Sequence, residues 1–234
     1  MARRNVLVTG ANRGLGLEFC RQLLARGDHV VATARRPAQA HELARLVAEH
    51  PGRLHVLPLD VTDPKSEAEV ARELPLVLGE ERLHLLINNA GLLHSGERWP
   101  HVPAANFEDS FRTNAMGPFL LTQALAPFLA DGGTVVNMSS QLGSIERTSR
   151  FGTPTYCVTK AALNMVTRLL SVALMERDIT VVSMHPGWVQ TDMGGEQAPL
   201  QPTQSVDGLL RVIDGLRRTH TGHFLDWQGE PLPW

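Results

Sequence analysis

The stretch Asn5-Val6-Leu7-Val8-Thr9-Gly10-Ala11-Asn12-Arg13-Gly14-Leu15-Gly16 reads as a short apolar strand running straight into a glycine-rich turn. An amphipathic helical pattern opens at Gly14 and continues to Arg26. Glycines permit a tight turn and a close backbone approach, and the free N–H groups and dipole of a following helix favour an anionic group such as a pyrophosphate. The spacing is G-x-x-x-G-x-G, through Gly10, Gly14 and Gly16, rather than the commoner G-x-G-x-x-G. Such a turn alone is often only a turn. Its place after the first strand and at the opening of the first helix is what gives it meaning.

Outward from this turn, short β-branched and apolar runs alternate with longer amphipathic stretches along the whole chain. The strand candidates are residues 5–9, 29–33, 54–59, 83–87, 134–138, 180–184 and 223–225. Helical patterns occupy 14–26, 38–49, 65–78, 104–129, 156–176 and 204–216. This order predicts an α/β fold, a Rossmann-type doubly wound parallel sheet of about seven strands with helices on both faces. There is no internal repeat, low-complexity tract or linker, so residues 1–234 read as one domain.

Composition narrows the function classes. With 43% hydrophobic and 20% charged residues, the chain can bury a sizeable core. A formal net charge of −2 gives no general attraction to nucleic acid or to anionic membranes. The first apolar run, Val6 to Val8, is too short for a signal peptide or a spanning helix, and a cytoplasmic protein is expected. Cys20 and Cys157 lack metal-ligand spacing, and the ten histidines form no HExxH or similar cluster, so no metal site is expected.

The end of the second strand bears on the choice of cofactor. An NAD-binding chain places an acidic residue there to accept from the ribose 2′-hydroxyl. Here the run is Val30-Val31-Ala32-Thr33-Ala34-Arg35-Arg36, with Ala34 at the acidic position and no carboxylate. Guanidinium groups bind phosphate through charge-assisted hydrogen bonds, so Arg35 and Arg36, with Arg13 from the glycine turn, point to NADP(H). The plainer reading is that these arginines are solvated charges at a strand end.

The chain contains one tyrosine, Tyr156, and Lys160, one of its two lysines, follows four residues later. On a helix these positions share a face, so a phenol and an ammonium can serve one site. Taken alone, Tyr156 could be an amphipathic cap and Lys160 a surface charge.

These features together resemble the short-chain dehydrogenase/reductase family along nearly the whole chain. The matching segments are Thr9 to Gly16, Asp60-Val61, Asn88-Asn89-Ala90-Gly91, Asn114, Ser139-Ser140, the Y-x-x-x-K pair Tyr156 and Lys160, and Pro186-Gly187-Trp188-Val189-Gln190-Thr191. Within the family the resemblance is to carbonyl reductases of the sniffer and C-factor type, through Ser139 to Ile145, His185 to Val189 and Gly222 to Trp227.

The resemblance implies a catalytic set of Ser140, Tyr156, Lys160 and Asn114. Tyr156 would be the general acid, its pKa lowered from about 10 by Lys160 and the oxidised nicotinamide. Ser140 would polarise the substrate carbonyl, and Asn114 would support a water in the proton relay. The cofactor would be held by Gly10, Asn12, Arg13, Gly14, Leu15, Gly16, Arg35, Arg36, Asp60, Val61, Asn88, Ala90, Gly91, Tyr156, Lys160, Pro186, Val189 and Thr191.

The stretch between Ser140 and Tyr156 is longer than the family's usual spacing, which leaves Ser139 and Ser144 as alternatives. The expected partners are a small carbonyl substrate and further copies of the chain, as a homodimer or homotetramer formed through helices 104–129 and 156–176. Against the NADPH-dependent reductase stands a cofactor-binding signalling protein with little turnover, and more weakly a sugar-nucleotide epimerase. The intact Ser-Tyr-Lys set favours the enzyme.

Overall fold

Val6 and Val8 belong to one hydrophobic core and Leu7, between them, to another. Side chains alternate between the faces of a strand, so an unbroken apolar run is what a strand buried on both sides requires. The computed structural model describes residues 3–234. Its strands are β1 (Asn5–Val8), β2 (His29–Ala34), β3 (Leu54–Pro58), β4 (Leu83–Asn88), β5 (Leu129–Met138), β6 (Thr180–His185) and β7 (Phe224–Asp226). They form one parallel sheet in the order β3-β2-β1-β4-β5-β6-β7.

Helices α1 (Gly14–Ala25) and α2 (His41–Glu49) pack on one face, joined there by α7 (Pro202–Asp214). The other face carries α3 (Pro64–Leu78), α5 (Gly117–Leu125) and the end of α6 (Pro154–Ala173), while α4 (Ala104–Phe111) leads into α5. The strand order reverses between β1 and β4, and a crevice at the carboxyl ends of such strands is where ligands bind in this architecture.

The helix expected over 104–129 is not continuous. After α4 comes one π turn, Arg112–Met116, in which the Gly117 N–H reaches back five residues to Arg112 O. Pro118 follows with no N–H to give, so the regular ladder cannot be completed here. After α5 a 3-10 turn, Ala126–Phe128, ends the helical run, and β5 starts at Leu129, earlier than residue 134. Its first residues reach β4 through a register shift, where Gly132 takes φ +74°. At its own start α6 begins at Pro154 rather than Tyr156, as suits proline at a first helical position. No helix among the described residues is long and apolar enough to cross a membrane.

Candidate active site

The glycine turn is built by backbone contacts that admit no side chain. Gly10 stands at φ +64°, and a β-carbon there would lie 3.0 Å from Ala90 Cα. At Gly16 a β-carbon would come within 2.3 Å of Gly10 O, closer than atoms can pack. Asn89 ties the turn to the end of β4. Its amide donates to Thr9 O at 2.9 Å and to Gly10 O at 3.3 Å, while the Thr9 hydroxyl accepts from the Asn89 and Ala90 N–H groups, each at 2.9 Å. Asn89 was not among the expected cofactor contacts. Asn88 was, but its side chain is buried, donating to Asn137 Oδ1 and Thr122 Oγ1.

What the turn offers the crevice is backbone N–H at the start of α1. Opposite it, Thr191 Cγ2 lies 3.6 Å from where a β-carbon at Gly14 would stand. This narrow, side-chain-free cradle fits a dinucleotide pyrophosphate. Asn12 is exposed on the turn and Leu15 half-buried. Arg13 is ion-paired with Asp192 of the segment after β6, both side chains being largely exposed. Arg35 and Arg36 are exposed beside buried Ala34, and neither makes an ion pair among the described residues. Asp60 accepts from the Thr62 N–H and hydroxyl, which fixes the bend before α3 beside Val61.

At the other end of the crevice the turn after β5 and helix α6 bring Ser140, Tyr156 and Lys160 together. Of the three candidate serines, Ser139 donates to Asn164 Oδ1 at 2.7 Å and Ser144 to Trp234 O at 3.2 Å. Ser140 is the one of the three that acts on the Tyr156 phenol, favouring its ionised form, and it also caps the Gln141–Gly143 turn by accepting from Leu142 N–H. Lys160 Nζ donates to Met138 O at 2.6 Å and lies 5.4 Å from the centre of the Tyr156 ring.

Burial pushes the Tyr156 phenol up to about 12, Ser140 opposing it and Cys157 adding to it. Burial pushes the Lys160 ammonium down to about 7. Both groups lose water before either gains much from the other. Among the protein's own groups, burial outweighs the lowering by Ser140.

Asn114, on the π turn, is fully buried. Its Oδ1 accepts from Leu92 N–H at 2.8 Å, and its amide donates to Leu92 O at 2.8 Å and Thr159 Oγ1 at 3.0 Å. It thus pins the loop after β4. A β-carbon at Gly91 would lie 3.6 Å from Asn114 Oδ1 and 3.8 Å from Lys160 Nζ, which places all three at one spot.

After β6, Pro186 O accepts from Ser205 Oγ, and Val189 is buried. Thr191 Oγ1 accepts from Gly194 N–H at 3.1 Å, closing the turn that faces Gly14. Trp188, Phe151 and Met193 are exposed, with Phe151 edge-on to Trp99 at 6.1 Å. His185 is buried, its imidazole pushed down to about 4 by that burial.

A nucleotide cradle at the sheet's reversal point, with a serine, a tyrosine and a lysine at its far end, defines a dehydrogenase site. The model of the short chain dehydrogenase family matches residues 4–201, and the chain belongs to that family. It is 43% identical over 152 residues to the C-signal of Myxococcus xanthus, covering 64% of this chain and 92% of that protein. An NADPH-bound carbonyl reductase from chicken fatty liver shares 38% identity at a TM-score of 0.94, over 100% of both chains. The carbonyl reductase Sniffer of D. melanogaster shares 34% at 0.96, again over 100% of both. The chain is an oxidoreductase of this family, similar to carbonyl reductases.

Proposed function

We propose that the protein is an NADPH-dependent carbonyl reductase acting on aldehydes, ketones or quinones, with Tyr156 as general acid. The carrying observation is the convergence of Ser140, Tyr156 and Lys160 beside the cradle. NADP(H) is favoured over NAD(H) by Ala34 at the acid position, by exposed Arg35 and Arg36 next to it, and by the NADPH of the chicken relative. In this reading Gly10 to Gly16 hold the pyrophosphate and Asp60 and Val61 flank the adenine. Ala90, Gly91 and the Asn88 backbone line the middle of the crevice, and Pro186, Val189 and Thr191 meet the nicotinamide end.

Bound there, the cofactor supplies a hydride and, once oxidised, a positive charge beside the phenol. Ser140 and Tyr156 hold the carbonyl oxygen between two hydroxyls, a preorganised arrangement that strengthens as charge develops on it. A phenol kept protonated by burial is loaded to deliver its proton to the forming alkoxide, a much stronger base. The phenolate left behind needs stabilising, at about 1.4 kcal/mol for each unit of pKa. Lys160, near its own midpoint at neutral pH, can hand a proton on as well as hold charge. Asn114 keeps Leu92, and with it the loop over the site, in place.

The test follows NADPH oxidation against a panel of aldehydes, diketones and quinones. Turnover is expected, weaker with NADH, and lowered at least about a hundredfold in Tyr156→Phe with NADPH binding retained. Unchanged turnover in that variant removes Tyr156 from the mechanism. Tight NADPH binding without turnover favours instead a cofactor-binding signal protein, the reading that likeness to the C-signal supports.

A further inference from the structure

Helix α6 carries Tyr156 and Lys160 yet has no cap of its own. Thr153, just before it, stands in the left-handed region at φ +41°, ψ +54°, and its side chain caps nothing. Pro154 has no N–H. The Thr155 N–H is met from 58 residues away by Glu97, whose Oε2 accepts it at 3.3 Å. Glu97 Oε1 accepts from the Thr155 hydroxyl at 2.8 Å and from Asn106 Nδ2 at 3.1 Å. A carboxylate at this position also meets the positive end of the helix dipole.

Glu97 lies on the loop after β4, the same loop that Asn114 pins at Leu92. The two attachments close a circuit. Thr155 O accepts from Thr159 Oγ1 at 2.8 Å, and Thr159 Oγ1 accepts in turn from Asn114. Ser110 Oγ joins Thr155 Oγ1 from α4 at 3.4 Å. Residues 92–97 are therefore fastened at both ends to groups that flank Tyr156 in the first turns of α6. Between the fastenings His94 keeps a buried Nε2 with no partner, as a loop held by its ends permits.

We propose that Glu97 is a positioning residue: its carboxylate locks the loop after β4 to the first turn of α6 and so sets where the phenol stands relative to a bound carbonyl. The proposal rests on the reductase reading for its effect on turnover. Its effect on the phenol can be read without any substrate. Tyr156 is the only tyrosine in the chain, so phenolate absorbance titrates that one group in the whole protein.

Glu97→Ala is expected to lower kcat roughly tenfold, as small misplacements of reacting groups do, with NADPH affinity unchanged. Its phenol midpoint should move down from about 12 toward the free value of about 10, because a loosened first turn admits water. Glu97→Gln keeps an acceptor oxygen for Thr155 and should recover most of kcat. Thr155→Val removes the hydroxyl bond to Oε1 and keeps the N–H bond to Oε2; it should repeat part of the loss and add little in the double variant.

Wild-type kcat with an unmoved titration in Glu97→Ala overturns the proposal. So does a loss of kcat matched by an equal loss of NADPH affinity, which would mean general loosening. Should no carbonyl turn over in the parent, the reductase reading fails on that result alone, and the titration still decides what Glu97 does to the phenol.

Discussion

The glycine turn after β1 and the loop after β4 face one another across one crevice but are held by different means. The turn is set by what its own few residues can sterically adopt: φ +64° at Gly10, and no room for a β-carbon at Gly16. The loop is set by side chains that arrive from elsewhere, Asn114 from 22 residues away and Thr155 from 58. Contacts inside one turn are dictated by residue type. Contacts between elements are dictated by the fold that brings them together, and they leave little local pattern.

The comparison can be broken most directly at Gly16. Gly16→Ala drives a β-carbon into Gly10 O and the Asn89 amide, so about 3 kcal/mol of stability and most of the cofactor affinity should go together. Chemical denaturation and a cofactor titration check both. A variant that unfolds like the parent and binds cofactor equally well defeats the steric account.

On the other side of the crevice, Asn114→Ala leaves the Leu92 N–H and carbonyl unpaired, at a cost of about 2 kcal/mol. Cofactor affinity should hold, since the turn does not depend on that amide. If affinity falls as it does in the glycine variant, the two regions are one unit and the distinction is lost.

The smallest effect sharpens the contrast from within the cofactor half. Glu67 of α3 is 4% exposed, and its Oε1 has no partner. Burial first, and Asp63 second, push its carboxyl up to about 7. The folded protein then holds a proton that the unfolded chain releases, so stability falls as pH rises from the ordinary 4.5 through about 7. Glu67→Gln should remove that slope, with a gain above neutrality and none in acid. Melts at the two pH values test it, and a gain independent of pH would point to packing instead.

These differences explain which parts of the site could be read early. The turn, the Ala34–Arg35–Arg36 run and the Tyr156–Lys160 spacing are local, and their chemistry follows from residue type and interval. Ser140 was preferred to Ser139 and Ser144, but spacing alone left the other two open, and only the packing shows that they are engaged with Asn164 and Trp234. Glu97 carried no signal beyond its name and Asn89 only its place in the Asn88–Gly91 segment, since each acts on the backbone of a distant element. The π turn was missed because apolar periodicity runs through it, although Pro118 marked where a regular ladder must fail. Proximity of a lysine is visible in a spacing, and loss of water is not.

Strand alternation, the glycine cradle and the shared helix face of Tyr156 and Lys160 were determined by the sequence alone, because steric exclusion and helical periodicity act over a few residues. Which serine faces the phenol, where Arg13 finds its partner, what caps α6 and how far burial moves Tyr156 and Lys160 were decided only by the tertiary structure. Hydrogen bonds and desolvation depend on distances in space, and those exist only once the sheet has brought its loops to one edge.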